Sequence, residues 1–273
     1  MKTHEVQNQV PPLNQYDLFA GDTPLREAVE RAGGDWGTEE LHAFGREVGS
    51  AEMAEHARLA NEHRPTLQTF DRLGHRINAV AFHPSYHALM ATSMANGLHS
   101  QPWTDERPGA MAVRAAKSYM MTQIEAGHGC PITMTFASVP ALRHQPDLAE
   151  VWVPRVTAGA YDPRNLPADQ KTACTIGMAM TEKQGGSDVR ANSTRAEDQG
   201  DGTFRLVGHK WFCSAPMCDA FLTLAYESDE QLSCFLVPRW TPDGQPNAMN
   251  LQRLKDKLGD RSNASSEIEY DQA

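Results

Sequence analysis

The spacing between apolar residues changes once along this chain, and that change constrains the fold more than any other feature. Up to about residue 160 the recurring spacing is three and four, which is one face of a helix. Leu41, Phe44, Val48 and Ala51 follow it after Thr38-Glu39-Glu40. Val113, Ala116, Met120 and Ile124 follow it inside "RPGAMAVRAAKSYMMTQIEAGHG", where Gly127 or Gly129 is expected to stop the helix. Thr23-Pro24 marks another start, a capping residue before a proline at the first helical position. "HPSYHALMATSMANGLHS" at 83–100 carries a weaker version of the pattern. From Ile176 the spacing becomes two: Ile176, Met178 and Met180 alternate with small residues. "TFRLVGHKWFCSA", "AFLTLAYE", "LSCFLVPR" and "SEIEYD" are short strand-like runs between turn residues, with "DQGDG" at 198–202 predicting a hairpin. Between the two regimes, "YDPRNLPADQKT" at 161–172 is polar, holds two prolines and has no period.

The expected class is therefore α+β. An all-α N-terminal domain (1–170) precedes an antiparallel β-barrel or sandwich domain (171–273). The chain is 40% hydrophobic, enough for a packed core, and no repeat of 20–50 residues interrupts it. Its formal net charge of -10 argues against holding a nucleic-acid backbone through its overall field. The opening "MKTHEVQNQVPP" has no apolar core of a secretory signal, and no apolar run reaches membrane-spanning length. With five cysteines, an odd number, reduced thiols in a cytoplasm are expected, and "NST" at 192–194 reads as a chance glycosylation pattern. The chain stops at "SSEIEYDQA", directly after a strand-like run, which predicts a truncated protein.

Several segments carry chemistry. "TEKQGGSD" at 181–188 puts two glycines and a serine after a strand. A backbone that approaches a phosphate needs glycine, because a Cβ would block it, and exposed N–H groups then supply donors. Composition alone leaves this segment either an ordinary β-turn, the commoner case, or such a cradle. It is neither a dinucleotide-binding glycine motif nor a P-loop. Trp211 and Phe212 are adjacent in "GHKWFCSAP" and in a regular strand face opposite sides, most simply as core or interface aromatics. Glu182 and Asp188 read as turn-holding carboxylates. His83, His87 and His128 read as helix-face or capping residues. Cys213 and Cys218 lack the second tight pair a structural zinc wants, so no metal site is expected.

Taken in order, three segments resemble the acyl-CoA dehydrogenase flavoprotein family: "AMTEKQGGSDVRA", "LVGHKWFCSA" and "DKLGDRSNASSEIEYDQA". The opening "VPPLNQYDLFAGD" and "EAGHGCPITMTFAS" at 125–138 are similar to its AidB-like branch, tied to the adaptive response to DNA alkylation. The resemblance implies FAD as cofactor and an acyl thioester as substrate. It implies that Met178, Met180 and Thr181 line the flavin, that Gly185, Gly186 and Ser187 lie under its pyrophosphate, and that Phe212, Cys213 and Ser214 flank the ring. Phe212 stands where the family usually has tryptophan. The family adds a C-terminal four-helix domain that carries the catalytic base and, in this branch, the DNA contact, and it assembles as a tetramer. No residue of this chain takes the base's role by motif. The resemblance leaves three functions: a dehydrogenase-like oxidoreductase, a DNA-protecting flavoprotein with incidental redox activity, or a scaffold without cofactor.

Overall fold

The computed structural model describes residues 3–273; Met1 and Lys2, the start of the expected 1–170 segment, lie outside it. The first part is helical: α1 (Leu18–Gly21), α2 (Thr23–Arg31), α3 (Thr38–Val48) and α4 (Ala51–Glu62), then α5 (Pro84–Ala95), α6 (Ala110–Ile124), α7 (Gly129–Leu142) and α8 (Pro146–Val156). Local chemistry sets the boundaries. The Asp22 carboxylate accepts the Leu25 N–H at 2.9 Å to cap α2, and the Ser50 hydroxyl accepts the Met53 N–H at 3.1 Å to cap α4. Such caps are worth about 1 kcal/mol each. Leu41, Phe44 and Val48 are buried together with Leu89, Met90, Met94, Val113 and Met120 in one core.

Two expectations about these helices are corrected. Ala51 does not extend α3; the helix ends at Val48, Ser50 turns extended to cap α4, and the junction packs so closely that a Cβ at Gly49 would sit 1.9 Å from the Tyr16 carbonyl oxygen. Gly127 and Gly129 do not stop α6. It ends at Ile124, where Glu125 turns extended and its carboxylate accepts the N–H groups of Gly127 and His128, each at 2.9 Å, and Gly129 instead opens α7. Nor is this part all-α. A hairpin of β1 (Thr66–Phe70) and β2 (Arg76–Ala81) separates α4 from α5, its turn held by Asp71, which accepts from Leu73 and His75.

The second part is one curled seven-stranded sheet: β3 (Ile176–Ala179), β4 (Arg195–Asp198), β5 (Phe204–Ser214), β6 (Ala220–Tyr226), β7 (Leu232–Pro238), β8 (Met249–Leu254) and β9 (Ser265–Asp271). The strand order is β3-β6-β4-β5-β9-β8, with β7 along the other edge of β6. It is not purely antiparallel, since β3 and β4 both run parallel to β6. The β4–β5 hairpin forms where "DQGDG" predicts it. One face of the sheet closes over Phe221, Cys213, Ile268 and Tyr270. The other buries Ile176, Ala220 and Leu222 against Val139, Leu142, Trp152 and Val156 of α7 and α8. Burying each such side chain contributes about 1.5–3 kcal/mol. Among the described residues no helix is long and apolar enough to cross a membrane.

Candidate functional site

Strand β3 is held in place by side chains. The Ile176 N–H donates to Thr135 Oγ1 of α7 at 3.0 Å, and Thr223 Oγ1 of β6 donates to the Ala179 carbonyl at 2.6 Å. Period-two alternation then buries Gly177 and Ala179 and leaves Met178, Met180 and Thr181 half-buried.

The turn that follows is closed by two reciprocal backbone bonds between Glu182 and Gly185, each 3.2 Å. The Glu182 side chain is fully buried. It accepts from the N–H and hydroxyl of Ser193 (2.6 and 2.9 Å), from those of Thr194 (3.1 and 2.5 Å), from Gln184 Nε2 (2.6 Å) and from Lys210 Nζ (2.9 Å). Burial raises the pKa of this carboxyl, but the hydrogen bonds from Thr194 and Lys210 outweigh it and hold the value at about 2. Glu182 is thus a structural anion, and Asp188 caps the short turn after it by accepting the Arg190 N–H at 3.1 Å. Gly186 packs on Thr181; a Cβ there would come within 2.8 Å of Thr181 Oγ1. Gly186 and Ser187 are exposed, and their N–H groups are taken by no acceptor among the described residues.

The third piece is β5. Its backbone joins the turn directly, the Trp211 N–H donating to the Thr181 carbonyl at 2.7 Å. Trp211 and Phe212 do not face opposite sides. Lys210 pairs with Ile268 and Cys213 with Ser266, so β5 has three steps where β9 has two, and a bulge lies between. Lys210 and Cys213 are both buried while Phe212 is 43% exposed and Trp211 half-buried. The Cys213 side chain lies in the core, its thiol pKa pushed up by burial, which leaves only its backbone toward the open side. Ser214 Oγ is 3.4 Å from Ser265 Oγ. The Trp211–Thr181 bond therefore joins the end of β3 and the Gly185–Ser187 turn that follows it to the stretch of β5 that leads into Phe212–Ser214. Together they offer an open ring and a turn with free donors. Among the described residues no group of three or more His, Cys, Asp or Glu is disposed to hold a metal.

Residues 8–163 match the family described as the adaptive response protein AidB N-terminal domain, and residues 177–273 match the acyl-CoA dehydrogenase middle domain. The chain belongs to the AidB-like branch of the acyl-CoA dehydrogenase family. It is 49% identical to the putative acyl-CoA dehydrogenase AidB of Escherichia coli (strain K12) over 274 residues, covering 100% of this chain and 50% of that protein. It is 30% identical to acyl-CoA dehydrogenase family member 11 of Caenorhabditis elegans, covering 86% of this chain and 39% of that protein. It therefore spans half or less of the length of these two relatives. The solved structure of C. elegans ACDH-11 in complex with C11-CoA superposes with a TM-score of 0.84 at 26% identity, over 100% of this chain and 48% of that one. Butyryl-CoA dehydrogenase from Megasphaera elsdenii shares the fold, with a TM-score of 0.57 at 14% identity over 92% of this chain and 56% of that one.

Two further residues of this AidB-like chain touch these segments and have no motif to announce them. Asn192 is 7% exposed; its Nδ2 donates to the Met180 carbonyl at 3.0 Å, and its Oδ1 is buried without a partner among the described residues. Sequence reading took it only as part of a glycosylation pattern. Lys255 lies against both Trp211 and Phe212. The exposed glycine turn, with the Gly186 and Ser187 N–H groups that no acceptor among the described residues takes, the exposed Phe212 ring and the orphaned Asn192 oxygen fit a large ligand with a flat ring and a phosphate, as a flavin dinucleotide is.

Proposed function

We propose that this chain carries the FAD-facing half of an acyl-CoA dehydrogenase-like oxidoreductase. The observation that supports this most is the Trp211–Thr181 backbone bond, which ties the strand segment carrying Phe212 to the segment that leads into the glycine turn. In this reading Met178, Met180 and Thr181 line the ring, with the Thr181 hydroxyl toward its polar edge. The N–H groups of Gly186 and Ser187 and the Ser187 hydroxyl bind the pyrophosphate, while Gly185 shapes the turn. Phe212, the backbone of Cys213 and Ser214 flank the ring, Ser214 nearest its reactive nitrogen. Bound there, FAD supplies two-electron redox chemistry. The chain's own residues bind and orient it, exclude water from one face, and oppose the charge that develops at its polar edge with preset donors.

The substrate class we propose is an acyl thioester, supported by the C11-CoA named with the C. elegans structure. The catalytic base, the tetramer contacts and any DNA contact are assigned to sequence outside this chain. The experiment is purification of the full-length protein with its absorbance spectrum. The expected result is a yellow protein with FAD bound in about one equivalent per chain. A colourless protein that takes up no FAD on titration would sink the reading.

A further inference from the structure

The bulge in β5 leaves two adjacent aromatic rings on the open side of the sheet, and one cation lies against both. Lys255 follows the last residue of β8 and is fixed by its N–H, which donates to the Ser265 carbonyl at 2.7 Å. Its ammonium lies 3.0 Å from the centroid of the Trp211 indole and 4.8 Å from that of the Phe212 ring. The side chain is only 10% exposed, and its one charged partner among the described residues is Glu267, whose Oε1 accepts at 2.7 Å. Glu267 also accepts from Arg253 Nε at 2.6 Å, and the Arg253 guanidinium stands 5.6 Å from the same indole. Lys183, from the Glu182–Gly185 turn, approaches that indole at 5.8 Å.

This arrangement is more specific than an ion pair needs. A lysine that served only Glu267 would stay at the rim, with its stem on apolar surface and its head in water. Here the ammonium is withdrawn under the rings, where cation–π attraction is strongest because water is excluded. Trp211 is held through its backbone by Thr181 and through its ring by Lys255. Phe212 has no polar handle, so its ring orientation depends on what it packs against.

We propose that Lys255 is the positioning residue of the aromatic wall, its ammonium fixing the Phe212 ring, against Trp211, in the orientation that a flat heteroaromatic ligand stacks on. This rests on the flavin reading above. It adds a residue that acts through Phe212 and touches no ligand itself.

The test is a double-mutant cycle in the full-length protein, with FAD affinity read by flavin fluorescence and fold integrity read by thermal unfolding. Lys255→Met removes the charge and keeps the stem. Lys255→Gln removes the charge but keeps a hydrogen-bond donor for Glu267 on a side chain one atom shorter, and serves if the methionine variant does not fold. Either variant is expected to weaken FAD binding about tenfold while the FAD-free protein still unfolds in one cooperative transition. In a Phe212→Ala background the same substitution is expected to cost little more, because its route to the ligand is gone. Unchanged affinity in a folded Lys255 variant overturns the proposal, and so does a loss that simply adds to that of Phe212→Ala. If the unsubstituted protein binds no FAD, the flavin reading itself falls and this proposal with it. If it binds FAD but the effects add, only the role of Lys255 falls.

Discussion

Glu182 and Lys210 form a pair with both side chains fully buried, twenty-eight residues apart in sequence. A buried pair adds little over an apolar replacement, but removing one partner strands the other. Glu182→Gln should therefore cost about 3–5 kcal/mol in a denaturant titration, with Lys210 left uncompensated. A loss below about 1 kcal/mol, the range of an exposed pair, would mean the pair is hydrated in solution. Ser187 is the opposite case, exposed and without structural duty. Ser187→Ala should leave stability unchanged and weaken FAD binding by about 1–3 kcal/mol, as for a lost bond to a charged group. Equal FAD affinity in the two proteins would remove Ser187 from the phosphate. The glycine turn and its serine were legible in sequence because their chemistry is local. The Glu182–Lys210 pair, the Asn192 oxygen and the Lys255 contact were not, since each depends on strands that meet only after folding.

At the scale of elements, the change of spacing at 161–172 separated the helices from the seven-stranded sheet but missed the β1–β2 hairpin inside the helical part. Elements whose hydropathy does not follow their buried face gave no such signal. Helix α7 buries one face, Pro131, Ile132, Met134, Thr135, Ser138, Val139 and Leu142, but that face includes two hydroxyl residues while Ala137, Pro140 and Ala141 are exposed, so apolarity alone does not mark it. The bulge in β5 was hidden for a related reason: both flanking residues, Lys210 and Cys213, are buried, and nothing in "HKWFCS" says that one of them is a lysine satisfied by a distant carboxylate. The α3–α4 junction offers an element-scale test. Gly49 accepts N–H groups from Gln15 and Tyr16 at 2.6 and 3.3 Å, and any Cβ at Gly49 collides with the Tyr16 carbonyl. Gly49→Ala should lower stability by about 1–3 kcal/mol and speed proteolysis of the segment before α1. Unchanged cleavage there would show that the segment is anchored by something other than this junction.

Across the whole molecule, the helical part and the sheet part meet at Glu125. Its Oε1 accepts from Asn61 of α4 (3.0 Å), from the Gly127 N–H (2.9 Å) and from Ser262, just before β9 (2.8 Å); its Oε2 accepts from His128 Nδ1 (2.6 Å), whose Nε2 meets Ser93 Oγ at 2.8 Å. Burial raises the pKa of Glu125, but the hydrogen bond and charge of His128 outweigh it and bring the value down from 4.5 to about 2. Glu182 is lowered over the same interval. A depressed folded-state pKa contributes stability above the unfolded value and loses it as pH falls through the folded one. Stability should accordingly decline from about pH 4.5 to about pH 2, and Glu125→Gln should flatten that decline. A pH profile identical in the variant would show that Glu125 is not among the groups being protonated.

The central claim is that residues 178–187 and 211–214, joined by the Trp211–Thr181 bond, face FAD. Amide hydrogen exchange of the full-length protein with and without FAD tests it most directly. The account predicts that added FAD slows exchange in those two stretches, most strongly at Gly186 and Ser187, whose N–H groups meet no acceptor among the described residues. Exchange unchanged in both stretches while FAD demonstrably binds would place the cofactor elsewhere and contradict it.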